Sequence, residues 1–231
     1  LSIGIIFVKY VHKIGYLYFS NLAGSGSGGI FALLIILLFL PNELPSIVGM
    51  ISLAAGLFLI PSKRNLSFLI LTLTGFVTGF YFLISPAELK LSEYKGLSRT
   101  LNLPDAEIVH QQNSHYGLIQ TVSSSALRYA PGISLNYRGE IPVRKAIFIN
   151  GDWFGHLLEW RRNDSLHLLN YTTVALPYVL KPRNKVAALN SGTGMNTSHA
   201  VANYAKEVFY VESNGEIVSL LMNKYAVETD S

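Results

Sequence analysis

The chain has 231 residues, half of them hydrophobic and only 14% charged, with a formal net charge of +4. That balance argues against a wholly soluble domain, and the absence of cysteine excludes disulfides, zinc thiolate sites, iron–sulfur clusters and a cysteine nucleophile. Lysines and arginines are scattered rather than gathered in a run, so the mild basicity makes no case for nucleic acid as a partner.

Charge is also unevenly distributed. Residues 1–87 hold only Lys9, Lys13, Glu43, Lys63 and Arg64 as full charges, which predicts a transmembrane region over 1–87 and an aqueous part after it. The chain opens on Leu1 with no short signal peptide in view, so its start has either been processed away or lies further upstream. Residues 1–19 carry Lys9, His12 and Lys13 in an apolar and aromatic setting and read as an interfacial helix or the tail of an earlier span.

From Ser20 to Leu40 the chain runs 21 residues without a charge and stops at Pro41-Asn42-Glu43, long enough at 1.5 Å per residue to cross a hydrocarbon core of about 30 Å. Within it, the stretch from Gly24 to Gly29 reads either as a flexible linker or as small-residue packing of helix on helix, the latter favoured because it flows into an apolar span. Its Gly24-Ser25-Gly26 is no phosphate loop, because no strand precedes it. A second span fits Leu44 to Ile60 and a third Asn65 to Ser85, with aromatic residues near its end. Three spans on short turns predict a helical hairpin bundle, with the lipid bilayer as a partner. The positive-inside rule applied to Lys9, Lys13, Lys63 and Arg64 directs the following domain away from the cytoplasm.

After the membrane region, Leu91–Leu103 contains a short helical stretch. Segments beginning at Ala106, Gly117, Leu127 and Lys145 alternate at period two, with Pro131-Gly132 and Asn150-Gly151-Asp152 as turns, and predict a small antiparallel β layer. "GDWFGHLLEW" around His156 and Glu159 reads as a surface helix in preference to a metal site. Leu166–Leu180 has helical spacing. Lys185–Leu189 then reads as a short strand of the buried type that opens onto Asn190-Ser191-Gly192-Thr193-Gly194. The histidines at 110, 115, 167 and 199 and the serines at 123–125 lack triad spacing and read as ordinary polar surface. Tyr129, Tyr137 and Tyr178 read as core or interface aromatics.

The order of these parts, with "SNLAGSGSGGIFALL", "YGLIQTV", "APGISLNY", "IFINGD" and "VAALNSGTGMNTSHAVANYAKEVFYVESN", resembles the membrane-anchored members of the spermidine synthase-like family, the polyamine aminopropyltransferases. The resemblance implies a β-rich N-terminal segment over 88–160 and, over 161–231, the start of a Rossmann-like domain of the methyltransferase type. Independently of the family, glycines in such a turn let backbone amides approach a ligand, and an acidic residue after the next strand can accept from ribose hydroxyls. Asn190, Gly192, Gly194 and Glu212 are therefore the candidate cofactor-binding residues. The resemblance implies decarboxylated S-adenosylmethionine or a related nucleoside as the cofactor. The competing reading is a plain strand-to-helix turn, with Glu212 serving the next helix near its N-terminus.

Aminopropyl transfer needs carboxylates to hold a polyamine cation and deprotonate its amine. Thr193 and Met195 stand where the family carries an acid, Asn170-Tyr171-Thr172-Thr173 where it carries a Tyr-His-Glu type sequence, and Gly117 where it carries Gln. No catalytic or metal-binding residue is expected, and the general base of the family has no counterpart before Ser231. Two strands and two helices would leave most of the apolar faces of a doubly wound sheet uncovered, so either the chain continues or a partner subunit covers the rest. Two functions follow as expectations: a catalytically degenerate structural or accessory subunit working with other membrane proteins, or an active aminopropyltransferase.

Overall fold

The computed structural model describes residues 2–58, 66–128, 132–158 and 167–224. Contacts divide the chain into two compact units, Leu1–Glu88 and Leu89–Ser231.

In the first unit, helix α1 (Ser2–Lys9) leads through a 3-10 turn at Val11–Lys13 into α2 (Ile14–Leu38), followed by α3 (Leu44–Phe58) and α4 (Leu66–Ile84). Two stretches, Val11–Leu38 and Leu66–Ile84, are long and apolar enough to cross a membrane, and the region from Leu44 forms a shorter apolar helix. The long helix starts at Ile14 instead of Ser20, because the aromatic run before Ser20 continues its apolar surface. Glu43 ends the first hairpin turn by accepting the amide of Leu40 at 2.8 Å. The hydroxyls of Ser52, Thr72 and Thr74 bond within their own helices, Ser52 donating to the carbonyl of Val48, Thr72 to Phe68 and Thr74 to Ile70. Lys63, Arg64 and Pro61, which entered the orientation and the span boundary, lie outside the described residues.

Gly24 to Gly29 are helical and no linker. The expected close packing at that stretch is not seen, since a Cβ placed on Gly24, Gly26, Gly28 or Gly29 would have nothing within 4 Å. Close approach occurs instead between α3 and α4. A Cβ on Gly75 would come within 2.8 Å of Leu53 Cδ1, and one on Gly79 within 2.8 Å of Met50 Cγ. The four-residue spacing puts both glycines on one face of α4, where the missing side chains let the helices meet. Beside this contact lies an open groove of about 300 Å³, whose polar lining residues include Asn42, Ser46 and Thr78.

The second unit begins with α5 (Gly96–Leu101) and a four-stranded antiparallel meander: β1 (Glu107–Ser114), β2 (Gly117–Ser123), β3 (Val143–Ile149) and β4 (Asp152–Leu158). Asn150 and Gly151 take φ of 53° and 78° between the paired Ile149 and Asp152. These are the two left-handed positions a two-residue hairpin needs. Side chains alternate across the sheet. Val122, Ala146 and Phe148 face α5 through Leu97; Ile119, Ile147 and Leu157 face the other way.

The chain then forms α6 (His167–Asn170), a 3-10 turn at Thr173–Ala175, α7 (Leu176–Leu180), β5 (Lys185–Leu189), α8 (Met195–Ala202), β6 (Glu207–Val211) and α9 (Gly215–Lys224). Strands β5 and β6 pair in parallel, from Lys185 opposite Glu207 to Leu189 opposite Val211, with α8 as the crossover. Asn214 precedes helix α9, and its side-chain oxygen accepts the amides of Glu216 and Ile217 at 3.2 and 3.4 Å, an N-cap arrangement. The helix buries Ile217 and Leu220 against Ile119, Ile147 and Leu157, worth about 1.5–3 kcal/mol for each large aliphatic side chain. The helix after β6 therefore covers the antiparallel sheet, leaving one face of the β5–β6 pair open, with Leu189, Phe209 and Val211 exposed.

Four expectations need correction. "GDWFGHLL" is strand β4 and not a helix; its apolar spacing fits either state, and the Asn150-Gly151 hairpin fixes it to β3. Glu159 lies outside the described residues. The stretch from Leu127 forms no strand among its described residues, where turns at Ser134–Tyr137 take its place. The expected helix over Leu166–Leu180 is, in its described part from His167, a broken series, because Thr172 is extended (φ −105°, ψ 154°) and bridges Ile133. Strand β5 is half-exposed and not of the buried type, its outward residues alternating with Val186 and Ala188.

Candidate functional site

The glycine turn owes its path to three left-handed residues, Asn190 at φ 50°, Gly192 at 56° and Gly194 at 89°. Glycine adopts this region without a Cβ penalty, and asparagine is among the few other residues that do so readily. Ser191 is buried, donates its hydroxyl to the carbonyl of Ala188 at 2.5 Å and its amide to Val211 at 3.3 Å. Gly194 donates its amide to the Ser191 carbonyl at 2.9 Å and forms the N-cap position of α8. The turn thus sits across the carboxyl ends of two parallel strands, where the first amides of a helix lack intrahelical acceptors.

Glu212 reaches into this turn. One carboxylate oxygen accepts the Gly192 amide at 2.9 Å; the other accepts the Asn214 amide at 3.1 Å and the Ser213 hydroxyl at 3.2 Å. Tyr210 closes the same corner by donating its hydroxyl to the Gly192 carbonyl at 3.0 Å. Burial pushes the Tyr210 phenol up to about 12, with the Glu212 charge adding to the effect, so the tyrosine acts as a donor and not as an anion. A ribose diol would have to take over acceptor capacity that now serves Gly192, Ser213 and Asn214. Both earlier readings of Glu212 touch this geometry: it is aimed at the turn, and it supports the start of α9 through Asn214.

The back of the turn rests on strand β4. A Cβ on Gly155 would come within 2.7 Å of both Thr193 Cγ2 and Oγ1, and a Cβ on Gly192 would reach Phe154 at 4.0 Å. Thr193 therefore packs on the sheet. Met195 opens α8, and Asn190 remains exposed.

The buried side of α8 carries a group that spacing arguments placed at the surface. His199 is fully buried, bonded through Nε2 to the Thr172 hydroxyl at 3.0 Å, with that hydroxyl donating to the Leu169 carbonyl at 3.0 Å. The Tyr178 ring stacks on it with centroids 6.5 Å apart. Its Nδ1 is buried without a hydrogen-bond partner, and burial holds the imidazole down at about 4, hence neutral. The Thr172 contact explains why the helix expected there is interrupted. His156 on β4 is likewise buried, with burial lowering its pKa and its Nε2 unpartnered. Ser124 is buried too, donating to the Pro104 carbonyl at 2.9 Å.

Other polar pairs serve the scaffold. His115 meets Glu216 at 2.9 Å, joining the β1–β2 turn to α9, and Lys95 meets Asp152 at 2.5 Å. Tyr137 packs on Tyr171 with centroids 5.3 Å apart; Tyr129 lies outside the described residues. Among the described residues no group of three or more His, Asp or Glu is placed to hold a metal ion.

Asn190, Gly192, Gly194 and Glu212 are thus brought together at one corner, while Tyr210, Asn214 and Gly155 complete it. Tyr210 could have been found from its position two residues before Glu212 on the same strand. Gly155, 37 positions before Gly192 in the chain, carries no local pattern that points to the turn. Compared with known proteins, the chain matches no family model, no curated protein and no solved structure.

Proposed function

We propose that the chain is a membrane-anchored protein of the spermidine synthase-like type, with three spans over 1–87 and a Rossmann-like portion over 161–231, acting as a non-catalytic structural or accessory subunit of a membrane assembly. The observation that carries this reading is the internal use of the glycine turn. Glu212 holds the Gly192 amide, Tyr210 holds the Gly192 carbonyl, and Thr193, standing where a polyamine enzyme would want a carboxylate, packs against Gly155. The first two contacts occupy, for the fold, the Glu212 carboxylate and the Gly192 backbone that a cofactor would meet, and the third sets a packing side chain where the transfer would need an acid. The open face of β5–β6 further supports a role that involves a partner, because both faces of a parallel sheet are ordinarily covered.

An active aminopropyltransferase is the second reading, favoured by the convergence of Asn190, Gly192, Gly194 and Glu212 at the carboxyl ends of parallel strands, where cofactors of this chemistry bind. Titration calorimetry with decarboxylated S-adenosylmethionine and with methylthioadenosine on the intact chain separates the two. No saturable heat is expected. Tight binding that Glu212→Ala abolishes would overturn the accessory reading in favour of the enzyme.

A further inference from the structure

At the end of the β5–β6 pair opposite the glycine turn, the chain gathers apolar and basic groups. Helix α7 presents Leu176, Val179 and Leu180, which are 59%, 76% and 74% exposed, and their spacing of three and four places them on one side of the helix. Lys181, Arg183 and Lys185 follow at alternate positions, all exposed. The Asn184 carbonyl accepts the amides of Lys206 at 2.8 Å and Glu207 at 3.0 Å, which brings the loop from Tyr204 to Lys206 beside this segment. Tyr204 is 90% exposed and Lys206 is exposed. Tyr178, on the other side of α7, stacks on the buried His199, so the helix is held from within while its apolar side stays bare.

Lys181, Arg183, Lys185 and Lys206 therefore lie in the same two chain segments as an exposed apolar and aromatic group, and the acid in those segments, Glu207, pairs with Lys185 at 2.7 Å. We infer that this tip docks on an anionic lipid surface, with Leu176, Val179, Leu180 and Tyr204 entering the headgroup layer and Lys181, Arg183 and Lys206 meeting lipid phosphates. Two properties favour lipid over a second copy of the chain. The basic side chains would face an identical set across a symmetric contact, and tyrosine and aliphatic side chains beside basic ones are the pattern that an interface between water and hydrocarbon selects. Docking at the amino ends of β5 and β6 leaves the glycine turn, at their carboxyl ends, away from the lipid.

The inference rests on the membrane-anchored part of the proposed function and not on the synthase resemblance. The chain contains no cysteine, so a single Tyr204→Cys reporter, with Ser213→Cys at the opposite end as control, can carry an environment-sensitive dye. The full chain is placed in lipid discs of phosphatidylcholine alone or mixed with phosphatidylglycerol. Shielding from an aqueous quencher is expected at position 204 and not at 213, only in the anionic discs, and is expected to fade in high salt. Removing one basic residue should lower the shielded fraction relative to the accessible one by about fivefold, and Lys181→Gln/Arg183→Gln/Lys206→Gln together by about a hundredfold. Equal accessibility in both discs, or shielding untouched by the triple change, overturns the docking. Shielding that persists in detergent and grows with protein concentration overturns it in favour of self-association. Failure of the chain to enter the discs overturns the membrane reading and the docking together, whereas entry with an accessible reporter overturns the docking alone.

Discussion

The contact between the glycine turn and strand β4 makes a quantitative prediction. Gly155→Ala places a methyl carbon 2.7 Å from Thr193 Cγ2 and Oγ1 and 3.3 Å from Thr193 Cβ. Threonine is stiff at χ1, and with both γ atoms in the way a rotamer change exchanges one clash for another. The turn itself must then lift from the strand, against the bonds that Glu212 and Tyr210 make to Gly192. Overpacking of this kind costs about 1–3 kcal/mol; about 2 kcal/mol would lower Tm by roughly 4–8 °C for a unit of this size. Thr193→Ala removes both γ atoms and leaves only the 3.3 Å approach, so the double variant should recover about 1–2 kcal/mol relative to the sum of the single changes. Denaturation followed by tryptophan fluorescence suits the test, because Trp153 lies two residues away, edge-on to Phe148 at 5.5 Å. Strictly additive effects, or a neutral Gly155→Ala, would refute the claim that Thr193 is a packing residue of the turn.

Further predictions concern His199 and the helices of the first unit. His199 is held near 4 against an ordinary 6.5, so the unfolded chain binds more protons than the folded one between those values and stability falls as pH drops from 6.5 towards 4. Between pH 7 and 5 the loss should be about 2 kcal/mol, with His156 adding in the same direction, and His199→Phe should flatten the pH dependence of Tm; an unchanged profile would refute the assignment. At the α3–α4 contact, Gly75→Leu/Gly79→Leu should separate the pair and raise hydrogen exchange in both helices. Gly75→Ala alone should be milder, since the nearest atoms are the ends of Leu53. Equal protection in the double variant would remove these glycines from the packing argument.

Much of the local order is legible in the residues alone. Asn150-Gly151 demands a tight hairpin, the uncharged runs around Ile30 and Phe76 demand helices, and Gly192 and Gly194 between β5 and α8 demand a left-handed turn. Each depends on backbone conformation or on side chains near in sequence. The same holds for Glu212 as the acid aimed at that turn, since it follows β6 directly.

What lay beyond reach depended on partners distant in the chain. The segment from Asp152 to Leu158 suits a helix as well as a strand until β3 is beside it, and Leu166–Leu180 is continuous until Thr172 is drawn to Ile133 and His199. No spacing rule places His199 inside, because its burial is decided by Tyr178 and Thr172. The tertiary structure alone decided that α9 covers the antiparallel sheet, that Thr193 packs on Gly155, and that the Glu212 carboxylate is engaged by the chain itself. Periodicity and turn chemistry report what a segment prefers by itself, whereas burial and the pairing of polar groups are settled only when the segments compete for the same surfaces.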